Sequence, residues 1–218
     1  MRFRVFIAIC LVPLLSGMPI LPALSQTLSI GAFSQGDLSG WEEQSFVGNT
    51  RYELVQDEQR QVLQADTVAS ASGLYFEREI DLSQTPYLNW SWKVDNVYSG
   101  NDEKTRQGDD YPARIFVVVS GGLFFWKTKA INYAWTSQLA AGSTWESAVT
   151  RNAVMLSLHS GNRESGQWLS EKRNIREDFR ELFGEDVVTI HAIAIMSDSD
   201  NTGQRARAYY GDIYFSED

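Results

Sequence analysis

Apolar residues along this chain recur mostly at strand spacing, in runs of four to nine bounded by Gly, Asn, Asp or Ser. Tyr52–Val55, Gln61–Ala65, Gly73–Ile80 and Tyr87–Val94 alternate or run apolar in the first half. Arg114–Ser120, Leu123–Trp126, Ala130–Trp135, Val154–His159, Val188–Met196 and Ala206–Phe215 continue the pattern. About ten strands joined by short turns predict an all-β, mainly antiparallel two-sheet sandwich rather than an alternating α/β fold. One stretch carries helical spacing: Ser170 is a candidate cap, Ile175, Phe179, Leu182 and Phe183 share a face, and Gly184 stops it. Ser99–Asp110 is polar and aperiodic, which predicts a long loop.

The first residues follow a different grammar. Arg2 and Arg4 precede an apolar run from Val5 to Leu15, Pro19 and Pro22 end it, and Ala23 and Ser25 are small. That order predicts a secretory signal peptide over residues 1–25, cleaved before Gln26, with residues 26–218 forming a single domain. The run is too short to span a bilayer, so no stable membrane anchor is expected. Export implies a periplasmic or secreted protein. Cys10 is the only cysteine and lies inside the signal, so the mature chain is expected to have neither disulfides nor thiol chemistry.

Charge narrows the partners. Nineteen Lys and Arg against 28 Asp and Glu give −9, and removing Arg2 and Arg4 gives 17 − 28 = −11. So acidic a chain without a basic run is a poor match for nucleic acid or anionic lipid. A glycan or another small polar ligand fits better.

Candidate chemistry concentrates in two polar segments. Gly108-Asp109-Asp110-Tyr111-Pro112-Ala113-Arg114 stands at the entrance to the apolar strand Ile115–Val119, and alternation would put Asp110 and Arg114 on one face as an ion pair or polar site. Asp198-Ser199-Asp200-Asn201-Thr202-Gly203 imitates the Asp-x-Asp-x-Thr of phosphotransferases, but fewer than about twenty residues remain for the motifs that chemistry needs downstream. It also imitates half a calcium loop, yet Tyr209 stands where a bidentate Glu is required. A hairpin turn or a non-EF calcium or ligand-binding loop remains. Aromatics pair at period two, Trp90 with Trp92 and Tyr133 with Trp135; each pair is core if it faces inward and a sugar-stacking platform if it faces out. His159 and His191 lack a ligand pattern, and no nucleophile elbow is present. Asp109, Asp110, Asp198, Asp200 and Asp212 could supply the two carboxylates of a glycan-cleaving enzyme.

Several blocks resemble the bacterial domain of unknown function 3047 family: Trp90–Val94, Gly108–Tyr111 with Ala113-Arg114, Asn132–Trp135, Arg173-Asn174 with Asp178 and Phe183-Gly184, and Asp198–Gly203 with Tyr209–Ile213. The resemblance covers nearly the whole mature chain and implies fold and compartment rather than an activity. The two ends also look like galactose-binding-type jelly rolls and carbohydrate-binding modules: Phe33, Gly40 and Trp41 at one end, Asp212, Ile213 and Phe215 at the other. Such modules often hold a structural calcium ion between the closing Asp and an acid beside the opening Phe. That implies Asp212 as a calcium ligand, although Ala32 occupies the position of the acid. The expectation is a jelly-roll carbohydrate binder using Asp109, Asp110, Arg114, Asp198, Asp200 and Asn201, with Trp92, Tyr133 and Trp135 as platform. A glycan-cleaving enzyme on the same fold and a protein-binding envelope component are the alternatives.

Overall fold

The computed structural model describes residues 26–218 apart from Phe124. The expected signal peptide and its cleavage point lie outside the described residues. Among the described residues, fourteen strands build two sheets. In chain order they are β1 (Thr27–Gly31), β2 (Trp41–Val47), β3 (Arg51–Asp57), β4 (Arg60–Val68), β5 (Ala71–Asp81), β6 (Tyr87–Val94), β7 (Ala113–Val119), β8 (Lys129–Thr136), β9 (Thr144–Glu146), β10 (Ala153–Ser160), β11 (Leu169–Asn174), β12 (Thr189–Asp198), β13 (Arg205–Tyr210) and β14 (Ile213–Ser216). The first sheet runs β1-β14-β6-β13-β4-β3 with β11 along β6, and the second runs β2-β5-β12-β7-β8-β10-β9. All pairs are antiparallel except β8 with β10.

Alternation decides which residues fill the space between the sheets. Ile115 and Val117 of β7, Ile131, Tyr133 and Trp135 of β8, and Ile193 and Ile195 of β12 point inward and are fully buried. They meet Leu63, Trp90, Trp92, Val94, Tyr210 and Phe215 from the first sheet. Trp90 packs tilted, 5.5 Å from Tyr133, and Trp92 packs edge-on, 6.0 Å from Trp135, centroid to centroid, so the aromatic pairs meet across the core. The intervening residues of β7, β8 and β12 (Arg114, Phe116, Asn132, Ala194, Met196) therefore face outward.

Four local expectations change. Leu123 lies in a turn and Phe125–Lys127 form a 3-10 turn, not a strand. Ala206–Phe215 is broken at Gly211-Asp212, where Gly211 N–H bonds Ser91 O and a Cβ would meet Ser91 Oγ at 2.3 Å. The helix, α1, covers only Ile175–Phe183: Ser170 belongs to β11, paired with β6, and Asn174 is the cap, accepting from Glu177 N–H at 3.2 Å. The Asp198–Gly203 turn is no hairpin, because it carries the chain from β12 in one sheet to β13 in the other.

Candidate functional site

The long loop before β7 is anchored rather than free. Glu103, 1% exposed, accepts backbone N–H groups of Ser137, Gln138 and Leu139, and Asn101 Nδ2 donates to Gly108 O and Asp110 O. Gly108 is required here, since a Cβ would lie 2.3 Å from Asp102 O. This packing delivers Asp109, Asp110 and Tyr111 beside the turn that follows β12.

Asp110 and Arg114 do not form the expected pair. Asp110 precedes the start of β7, so strand alternation does not govern it. Its carboxylate instead accepts the N–H of Asn201 (3.3 Å) and Thr202 (2.5 Å) and the Asn201 amide (3.1 Å), holding the β12–β13 turn. Arg114 projects from the outer face of β7 and forms a buried ion pair with Asp198, whose other oxygen accepts Tyr111 N–H at 3.1 Å. The guanidinium also lies 4.7 Å from the Tyr111 ring and 5.3 Å from the Phe116 ring.

Asp109, Arg114, Asp198, Asp200 and Asn201 line one cavity of about 500 Å³ on the outer face of the second sheet. Phe46, Phe116, Val149 and Met196 supply apolar wall, and Ala71, Ala130 and Ala153 keep the floor low. Next to it, Gly73, Ala194, Phe116 and Tyr75 line a second, more apolar hollow of about 280 Å³, so the face is a groove with a polar end. A Cβ at Gly73 would lie 2.9 Å from Ile195 O. At the polar end, three buried atoms have no hydrogen-bond partner: Asp109 Oδ1, Arg114 Nε and Asn132 Oδ1. Their residues are only 7%, 5% and 2% exposed.

Burial sets the electrostatics. It drives the Asp198 carboxyl up to about 7, with Arg114 opposing the rise and Asp110 adding to it. Burial also raises Asp109, again opposed by Arg114, and raises Asp200, assisted by Asp110. For Arg114, burial disfavours the charge, but Asp198 and Asp109 outweigh it and the guanidinium stays protonated.

The expected platform is misplaced. Trp92, Tyr133 and Trp135 are fully buried between the sheets, because period two tells which aromatics share a face but not which face is inside. The aromatics that line the groove are Phe46, 65% exposed, Tyr75 and Phe116. Asn132 belongs to the site and was not expected there; its signal is a lone amide in an apolar strand, opposite in phase to Tyr133. Asp212 is far from this cavity in function: both its oxygens accept from Ser34, the N–H at 2.7 Å and Oγ–H at 2.5 Å. With Ala32 in place of an acid and Ser34 supplying donors, the residues at Asp212 do not fit a calcium ion. Serine fastens the two ends there instead.

The sandwich is that of carbohydrate-binding-module jelly rolls. It is similar to the family 30 carbohydrate-binding module of the cellulosomal cellulase Cel9D-Cel44B of Clostridium thermocellum, at 10% identity, 87% coverage of this chain, 96% of that one and a TM-score of 0.51. It is also similar to the family 11 module of the cellulase Lic26A-Cel5E of Clostridium thermocellum (10% identity, 88% and 93% coverage, TM-score 0.48). A further neighbour is the xyloglucanase domain of NopAA from Sinorhizobium fredii (12%, 83% and 95%, 0.44). The family model described as "Protein of unknown function (DUF3047)" matches residues 39–214, and the chain belongs to that family. No curated protein matches the sequence.

Proposed function

We propose that this is an exported protein that binds carbohydrate in the groove on the outer face of the second sheet. One observation carries this: Asp109, Arg114 and Asn132, which line a cavity walled by apolar side chains, each carry a buried polar atom without a partner, two acceptors and one donor. Buried polar groups are ordinarily paired, and leaving one unpaired costs about 1–3 kcal/mol. A sugar hydroxyl donates and accepts at once, so one ring could satisfy Asp109 Oδ1, Arg114 Nε and Asn132 Oδ1 while its C–H face rests on Phe116. The jelly-roll architecture and the acidic, nucleic-acid-averse charge agree with that ligand class.

Glycan cleavage has one observation in its favour: Asp198, pushed to about 7, shares the cavity with Asp109 and Asp200. Its engagement by Arg114 and by Tyr111 N–H favours holding over proton transfer. Titrating purified protein against a panel of bacterial and plant glycans in EDTA, with product analysis, separates the two. Binding without products, weakened about tenfold or more by Phe116→Ala at unchanged thermal midpoint, supports the binder. Products that vanish in Asp198→Asn support the enzyme, and no binding to any glycan overturns both.

A further inference from the structure

The deep end of the cavity holds more negative charge than the protein neutralises. Asp109, Asp110 and Asp198 are buried, Asp200 is half-buried beside them, and Arg114 is the one buried cation they face among the described residues. Oxygens of Asp110, Asp198 and Asp200 lie within 4.8 Å of one another. Those of Asp110 and Asp198 already accept N–H groups, yet each carboxylate oxygen has a second lone pair for a further ligand. The independent pointer is Asp109: its Oδ1 is more than nine-tenths buried, has no partner, and lines the same cavity as Asp198 and Asp200. Its nearest anionic neighbours are Asp110 and Asp200. Four acidic side chains gather around one buried guanidinium, and a bound cation would offset their mutual repulsion.

We propose that Asp110, Asp198 and Asp200, with Asp109 beside them, bind a divalent cation of the calcium type. All-oxygen ligation suits a hard cation, and the cluster has no His or Cys to favour zinc. Oxygens within 4.8 Å of one another can share one ion, and a cluster drawn from a loop and a turn suits calcium's flexible coordination better than magnesium's strict octahedron, which retains more water. Waters would complete the coordination at the open side. The ligands come from the loop before β7 and from the β12–β13 turn, so the ion would clasp two segments about ninety residues apart. This site goes beyond carbohydrate binding and stands without it.

The test is terbium luminescence and calcorimetric titration of the purified protein with CaCl2, in the absence of any glycan. Tyr98, whose hydroxyl bonds Asp198 O at 2.7 Å, and Tyr111 are placed to sensitise terbium. The expected result is saturable luminescence, displaced by calcium and not by equal magnesium, with a thermal midpoint raised by several degrees in millimolar calcium. Both effects should be lost in Asp200→Asn, a half-buried turn position whose substitution leaves the fold intact by circular dichroism, and kept in Asp212→Asn. No binding at millimolar calcium, binding unchanged in Asp200→Asn, or binding lost in Asp212→Asn instead would each overturn the site.

Discussion

Two aspartate–arginine pairs in this protein, each with a buried aspartate, have the same chemistry and opposite completeness. Asp178, 4% exposed, accepts Arg173 Nε at 2.9 Å, a second Arg173 nitrogen and the Tyr133 hydroxyl, and none of these groups is left unpartnered. That cluster ties α1 and β11 to the core strand β8. Asp198 is as deeply buried as Asp178 and Arg114 more deeply than Arg173, yet Arg114 Nε, Asp109 Oδ1 and Asn132 Oδ1, on residues that line a cavity, have no partner. The closed pair has nothing to offer a ligand. The open one holds its polar groups ready and leaves their desolvation uncompensated, the usual signature of a site maintained against stability.

The sharpest way to break this contrast is Asp178→Ala. It strands Arg173 and the Tyr133 hydroxyl, so urea denaturation should show a loss of at least about 2 kcal/mol, moderated because Arg173 is partly exposed and can rehydrate. At the open pair, Asn132→Leu removes an orphaned acceptor at near-constant volume. Its stability should hold or rise by up to about 1 kcal/mol, while affinity for a panel glycan falls about tenfold. A loss as large as that of Asp178→Ala would mean that Asn132 is structural and the two pairs are alike. The smallest effect belongs to a third ionic contact, closed but half-buried: His159 lies 2.8 Å from Glu164 and 2.6 Å from Glu171. Burial pulls its pKa down, but Glu171 and Glu164 together hold it above 6.5. The stabilisation is therefore complete below about pH 6.5 and fades as pH rises through the raised folded value. Thermal midpoints of the wild type and His159→Gln should differ at pH 6 and converge toward pH 9.

Strands that alternate strongly were legible before any coordinates. Tyr87–Val94 is β6 to the residue, and the apolar runs around Ile115, Ile131 and Ile193 became the core of the second sheet. Edge strands other than β3 were not. β2 reads Trp-Glu-Glu-Gln-Ser-Phe-Val and β11 reads Leu-Ser-Glu-Lys-Arg-Asn; both face solvent along much of their length, so no apolar period marks them. The buried acids and Arg114 stood out as charges in apolar surroundings, but their partners depend on a turn crossing between sheets, which local pattern does not encode. Phe46 and Phe116 meet through four neighbouring strands, β2-β5-β12-β7, and Phe46 lies in one of the unmarked edges.

The break at Gly211-Asp212 has a consequence in time. β13 and β14 occupy the middle of the first sheet, where they pair with β6, β4 and β1, and Asp212 fastens them to Ser34. Residues 205–216 are thus synthesised after β1, β4 and β6, the strands that wait for them. Those strands keep unpaired edges until β13 and β14 have emerged, and closure over such sequence separations places the protein among the slow, topology-limited folders.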